Sequence, residues 1–228
     1  GWCLDIRINI NEFPKSIFTK YDKVSGQSTI KVIPDLVGVY FTIDTQGATS
    51  SEATNKNSEI VDSLKTSLMS KGFEKEQIQT QSFNVYPEYD YRTGTGKITG
   101  YKATHSIKVE LSANDSNKIG EIIDAGINAG AGVSYINFEL SQENQNKYKA
   151  EAMKLASQDA KIKAESVAEG LGKDLGSLVS VSVDNYNYIP WLAYDSAGAS
   201  APEIKQAVTG IQPSDQQISA SVTVVFRI

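Results

Sequence analysis

The chain has 228 residues, of which 40% are hydrophobic, so it can bury a core without disulfide bonds or metal ions. Its net charge of −5 and its pI near 5.0 exclude the basic surface that nucleic-acid binding needs. The single cysteine, Cys3, excludes an internal disulfide bond. No apolar run reaches the roughly 18 residues of a membrane span, and the many Ser, Thr, Asn, Gln and Tyr residues favour an exported protein.

The first ten residues alternate between apolar and polar side chains, which predicts a β-strand. The apolar positions are Trp2, Leu4, Ile6, Ile8 and Ile10. Residues 11–23 contain Pro14 and show no sustained period, so they are predicted as a connector that reaches about 40 Å when extended. We therefore treat residues 1–23 as an extension and residues 24–228 as one domain.

The first half of the domain combines strands with helices. Alternating apolar residues predict strands over 28–32 and 37–43, with Pro34-Asp35 between them. An apolar stripe and capping residues predict a helix that ends at Gly72. Residues 78–111 are predicted as a long hairpin around Thr93–Gly96, followed by a short helix and a strand over 133–140.

The second half begins with the longest predicted helix, residues 144–170, whose small-residue face lets it lie close on a sheet. A strand over 175–183 follows, and residues 184–217 are predicted as a long irregular loop. Residues 218–228 alternate again and are predicted to join the main sheet. This order of elements predicts an α+β fold in two layers, with a mainly antiparallel sheet packed by three helices.

The ordered set of these segments, from Val24 to Ile228, resembles the SIMPL-domain family. Its best markers are Pro34-Asp35, Ile78-Gln79-Thr80, Gly100-Tyr101 and Leu171-Gly172, while Pro213-Ser214-Asp215 replaces the Pro-Gly-Glu that relatives tend to have. The resemblance implies an exported or envelope-located α+β protein with no cofactor and no settled catalytic activity. Relatives of the periplasmic-immunogen type resemble subunits of large homo-oligomers. The terminal strand is not part of the family pattern.

Catalytic chemistry has little support in the sequence. The only histidine, His105, lies in a predicted strand, where packing is the expected role. Cys3 has no obvious base beside it, and Glu88 and Asp90 are expected on a solvated strand face. The lysines are expected on solvated helix faces. We therefore predict no catalytic, cofactor-binding or metal site, and no enzymatic activity.

Two segments remain as candidate interaction sites. The aromatic residues Tyr186, Tyr188, Trp191 and Tyr194 either anchor the predicted loop or bind a partner. The terminal strand either pairs with its own body or is donated to a neighbouring subunit. The leading hypothesis is a structural protein of the cell envelope or exterior that forms a homo-oligomer or filament by strand donation. The alternative is a periplasmic-type stress-related protein, or one that binds a ligand or a partner, which uses the long loop with its Tyr and Trp residues.

Overall fold

The computed structural model describes residues 20–92, 94, 96–195, 203–204, 206, 211 and 213–228. The strands are Tyr21–Val32 (β1), Leu36–Gly47 (β2), Ile78–Asp90 (β3), Lys97–Ser112 (β4), Gly132–Glu139 (β5), Leu178–Asn187 (β6), Trp191–Asp195 (β7) and Gln216–Arg227 (β8). The α-helices are Ser50–Ser70 (α1), Ile119–Ala129 (α2) and Gln142–Gly170 (α3). Short 3-10 helices precede β3 and α2, at Lys75–Gln77 and Ala113–Lys118.

The strands form two antiparallel sheets, so the predicted α+β class is confirmed. The larger sheet has the order β3-β4-β2-β5-β7, and the smaller one has the order β1-β8-β6. The chain divides into two compact units. One contains the described residues up to Ile30, Lys149–Asn187 and Ile218–Ile228, and the other contains Lys31–Tyr148 and Tyr188–Gln217. The predicted terminal strand, residues 1–10, lies outside the described residues.

The larger unit is built around β2, the central strand of its sheet. Alternate residues of β2 are fully buried: Val37, Val39, Phe41 and Ile43. Helices α1 and α2 pack on this face through side chains such as Leu64 and Ile122. Helix α1 is capped by Thr49, whose side chain accepts a hydrogen bond from the Glu52 backbone N–H at 3.1 Å, within the capping segment that the sequence indicates.

The smaller unit packs α3 on a three-stranded sheet. Every second residue of β8 is buried, and α3 buries an alanine at every fourth position: Ala152, Ala156, Ala160, Ala164 and Ala168. A Cβ atom on Gly26 of β1 would lie 2.0 Å from the Ala156 carbonyl oxygen. The helix backbone therefore lies directly on β1, which confirms the close approach expected from the small-residue face.

Two predictions about the second half of the chain are wrong. Strand β8 joins the smaller sheet, between β1 and β6, and not the sheet that contains the hairpin. The predicted loop over 184–217 contains regular structure, because β6 continues to Asn187 and Trp191–Asp195 forms β7. Strand β7 pairs with β5, and the Trp191 ring stacks on Phe138 at 5.3 Å between centroids, which supplies the packing that orders the segment. Residues 196–202 lie outside the described residues.

Asp35, the second residue of the family marker Pro34-Asp35, connects three elements of the larger unit. Its side chain accepts hydrogen bonds from the Ser141 backbone N–H at 2.8 Å and from Asn144 Nδ2 at 2.7 Å, at the start of α3. Its backbone bonds to Glu139 and to Ala113. Burial would raise the pKa of this carboxyl, but the hydrogen bonds from Ser141 and Asn144 outweigh burial and lower the pKa below its ordinary 3.8.

We expect Asp35→Asn to lower the free energy of unfolding at neutral pH by about 1–2 kcal/mol, since it removes a charged cap. A carboxyl whose pKa is lowered on folding stabilises the protein above its unfolded pKa and loses that contribution as pH falls through the folded pKa. The difference between Asp35→Asn and the unmodified protein should therefore shrink as the pH falls below 3.8. Urea unfolding across this range measures it, with the exposed Glu59→Gln as control. A difference that stays constant in acid would contradict the assignment.

Candidate functional site

The predicted donor residues Trp2, Leu4, Ile6, Ile8 and Ile10 lie outside the described residues, so the described part of the chain bears only on what could accept a strand. Each sheet has two outer strands, which are β1 and β6 in the smaller sheet and β3 and β7 in the larger. An outer strand presents unpaired N–H and C=O groups that another strand can bind. The surroundings of each edge decide whether it is open.

Strand β6 carries apolar side chains that nothing in the described part of its unit covers. Val181 and Val183 pair with Val224 and Val222 of β8, so all four point to the side of the sheet on which α3 packs. The β8 valines are buried, whereas Val181 is 52% exposed and Val183 is 53% exposed. The apolar face of the small sheet therefore continues past the helix onto an uncovered edge strand.

The other face of β6 is polar. Ser180 and Ser182 pair with β8 residues on this face, and Asp184 is the additional residue of a β-bulge. The carboxylate of Asp184 accepts a hydrogen bond from the Thr223 hydroxyl. The edge thus presents apolar side chains on one face, and hydroxyl groups with one negative charge on the other.

The opposite edge of the same sheet is occupied. The Gln27 backbone N–H of β1 donates to Asp159 Oδ2 of α3 at 2.8 Å. The Ser28 hydroxyl donates to the Ala152 carbonyl of the same helix at 2.6 Å. With Gly26 against Ala156, these contacts hold α3 over β1 and account for the missing helix cover on β6.

The edges of the larger sheet are less suited to strand addition. Strand β7 has five residues, and short edge strands resist pairing. Strand β3 has 13 residues but includes Pro87, which has no N–H to donate. On its helix-facing side, the Phe83 ring lies 5.2 Å from the His105 ring.

His105 is part of a polar cluster beneath α1. The buried Asn57 side chain donates from Nδ2 to the Ile43 carbonyl at 2.9 Å, so its Oδ1 is the acceptor for His105 Nδ1–H at 3.1 Å. The remaining ring nitrogen, Nε2, then accepts from the Thr80 hydroxyl at 3.0 Å. Burial, and next the charge of Lys65, lower the pKa of His105, which keeps the imidazole neutral at pH 7.

This cluster gives His105 the packed strand position expected from the sequence. Its ring joins α1 to β3 and β4 through hydrogen bonds at both nitrogens, beside an open depression of about 340 Å³. Asn57 was not identified from the sequence, although it lies four residues from both Ala53 and Val61 in the buried stripe of α1. In the described residues, no group of three or more His, Cys, Asp or Glu side chains could hold a metal ion.

The aromatic residues proposed for partner binding make contacts inside their own units. Trp191 and Tyr194 pack against the core of the larger unit, and the Tyr188 hydroxyl accepts from the Leu140 N–H at 2.6 Å. Lys149 Nζ lies 5.1 Å from the centre of the Tyr186 ring. These contacts account for the aromatic residues as packing groups, and their role in partner binding stays a prediction.

A charged cluster on the outer face of the larger sheet was not predicted from the sequence, which favoured solvated helix faces for the lysines. Lys108 is 8% exposed, and its Nζ bonds to Glu110 at 2.8 Å and Glu139 at 2.7 Å. The Tyr40 hydroxyl donates to the other oxygen of Glu139 at 2.6 Å. Burial would lower the pKa of Lys108, but the two glutamates outweigh burial and raise it.

These features define a class of protein: an α+β body of two antiparallel sheets, one of which ends in an uncovered apolar edge strand. The chain belongs to the SIMPL family, described as a protein of unknown function (DUF541), whose profile matches residues 23–226.

Several curated proteins are similar along most of their length. The uncharacterized protein YggE of Escherichia coli is 26% identical over 210 residues, covering 90% of this chain and 81% of the relative. The YggE protein of Edwardsiella ictaluri is 26% identical over 207 residues, covering 90% and 85%. The 26 kDa periplasmic immunogenic protein of Brucella melitensis is 26% identical over 216 residues, covering 90% and 83%. Within the described residues, none of the helices is long and apolar enough to cross a membrane.

Proposed function

We propose that this protein is a non-enzymatic structural protein of the cell envelope or exterior that self-assembles by strand donation. Residues 1–10 of one copy add as a β-strand to a neighbouring copy. The observation that carries the proposal is the unbroken apolar alternation of residues 1–10, which precedes the segment that matches the family, residues 23–226. Left in water, such a strand would expose five large apolar side chains and promote aggregation.

The protein is exported. Relatives in Brucella melitensis and Brucella abortus are named periplasmic proteins, and they match 90% of this chain.

The energetics favour a terminal strand that completes a sheet over one that only covers a surface. Burying five side chains contributes at most about 8–15 kcal/mol, at about 1.5–3 kcal/mol each. Ordering ten residues costs about 1–2 kcal/mol per residue, which is of similar size. The backbone hydrogen bonds of an added strand, and the cover that it gives to apolar side chains at an edge, supply the surplus.

The connector allows the donated strand to leave its own sheet. Residues 11–19 span up to about 30 Å when extended, which exceeds the roughly 10 Å between the outer strands of a three-stranded sheet, so residues 1–10 can reach an edge on a neighbouring copy as well as their own β6. Each copy then carries one donor strand and one acceptor edge. Such a head-to-tail contact produces a filament unless the rotation between copies closes a ring.

The test is a pair of charged substitutions on the apolar face of the donor. Ile6→Asp with Ile8→Asp should leave the circular dichroism spectrum and the unfolding midpoint unchanged but abolish large assemblies in electron microscopy and light scattering. The matched control, Cys3→Asp with Asn9→Asp, adds the same charge to the polar face of the same segment and should still assemble. Assembly that persists with Ile6→Asp and Ile8→Asp would overturn the proposed function.

A further inference from the structure

Resting on this proposed function, we infer that the acceptor is the open edge of β6 in the neighbouring copy. Residues 1–10 pair with β6 as a fourth strand of the small sheet, with their even-numbered side chains on the side where α3 packs. The alternation of residues 1–10 alone does not specify where the donor binds.

The dimensions and the apolar pattern of β6 fit the donor. Strand β6 spans ten residues, the same number as the alternating terminal segment. On its helix-facing side, Val181 and Val183 are half exposed beside the buried Val222 and Val224. A neighbouring strand with apolar side chains on this face would cover both exposed valines and extend the apolar layer of the sheet.

An unsatisfied polar group lies at the end of the same face. Tyr186 lies opposite Ala220 of β8. Its hydroxyl is buried and has no hydrogen-bond partner in the described part of the chain. Buried hydroxyl groups are usually paired, so an additional group is expected near Tyr186.

The polar faces of the two strands are complementary as well. Asp184 is the only charged residue of β6, and it projects on the polar face, where it binds Thr223. The polar face of the donor carries Arg7 between Asp5 and Asn9. An Arg-Asp pair across two adjacent strands is favourable, and the serines of β6 accommodate the remaining polar side chains of the donor.

The other edges offer a weaker fit. The free edge of β1 is engaged by Asp159 of α3, and β7 has only five residues. Strand β3 is long enough and also exposes apolar side chains, with Phe83 43% exposed, but it contains Pro87, which has no N–H to donate. Strand β6 combines ten residues without proline with the half-exposed Val181 and Val183 beside the buried valines of β8.

The only natural cysteine makes the contact measurable. Cys3 lies on the polar face of the donor, so it can form a disulfide bond only with a cysteine on the polar face of its acceptor. Ser180→Cys, Ser182→Cys and Asn185→Cys place a thiol at successive positions on that face of β6, and the register decides which of them lies opposite Cys3. After mild oxidation, at least one variant should give a ladder of linked chains on a non-reducing gel.

Matched variants test whether β6 is the acceptor independently of the proposed function. Val183→Cys, on the opposite face of β6, and Ser182→Cys combined with Cys3→Ser should give no ladder. If filaments form but none of the three β6 variants gives a ladder, the inference is overturned, and a ladder with Asn84→Cys on β3 would identify that edge instead. A disulfide bond formed within one chain would overturn donation to a neighbour. Failure of the proposed function itself is seen separately, as assembly that survives Ile6→Asp and Ile8→Asp.

Discussion

Lys108→Met is expected to lower the free energy of unfolding by about 3–5 kcal/mol, one of the largest single effects in this chain. The methionine has nearly the volume of lysine, so packing is retained while the positive charge is lost. Glu139 is then left with a negative charge, largely buried beside Glu110, and within the described part of the chain only the Tyr40 hydroxyl still donates to its carboxylate. Urea unfolding at neutral pH, followed by circular dichroism, measures the loss.

Two further variants show whether the uncompensated charge is the cause. Lys102 lies on the same face of the same strand and pairs with Asp44, but this pair is more exposed. Lys102→Met should therefore cost less than about 1 kcal/mol. Adding Glu139→Gln to Lys108→Met should recover part of the loss, because it removes one of the unpaired charges. Equal costs for Lys108→Met and Lys102→Met would show that the cluster does not act as a buried ion pair.

Gly26→Val is expected to lower the free energy of unfolding by about 3 kcal/mol or more through overpacking. The added Cβ would lie 2.0 Å from the Ala156 carbonyl oxygen and 2.4 Å from the Ala160 backbone nitrogen. Both are backbone atoms of α3, so no side-chain rotation relieves the contact and the helix must move off β1. Thermal unfolding followed by circular dichroism measures the effect.

The matched control is Gly170, the last residue of α3. A Cβ on Gly170 would meet nothing within 4 Å. Gly170→Ala should therefore be neutral or stabilise the protein by up to about 1 kcal/mol, because alanine is the better helix former. A Gly26→Val variant as stable as Gly170→Ala would show that α3 does not lie directly on β1.

Periodicity predicted the elements well because burial of one face determines which positions are apolar. The alternation over 37–43 and 78–111 corresponds to β2 and to the β3-β4 hairpin. The division into two sheets was not predicted, since an alternating pattern such as that of β8 indicates a buried face but not the neighbouring strand. Strand β7 was missed because its five residues follow Pro190 and show no sustained alternation.

Polar residues with buried partners were harder to identify than apolar ones. Lys108 lies at a polar position in the alternating pattern of β4, and so does the more exposed Lys102. The sequence pattern therefore does not distinguish the two lysines. Only the strand pairing brings Glu139 to it, across a sheet in which Gly38 leaves room for the lysine side chain. Asn57 carried a usable signal, because a polar residue at a core-facing helix position predicts a buried hydrogen bond.

The small sheet brings together parts of the chain that are far apart in sequence. Ser25 and Thr223 share a hydrogen bond of 3.0 Å across 198 residues, and β6 is held in the sheet through β8. Contacts of such long range form late in folding, because a large loop must close first. A copy that is still folding therefore has residues 1–10 available as a donor before its own acceptor edge exists. Under the proposed assembly, this order gives growth a direction, since each new copy attaches to a finished subunit before it can receive the next.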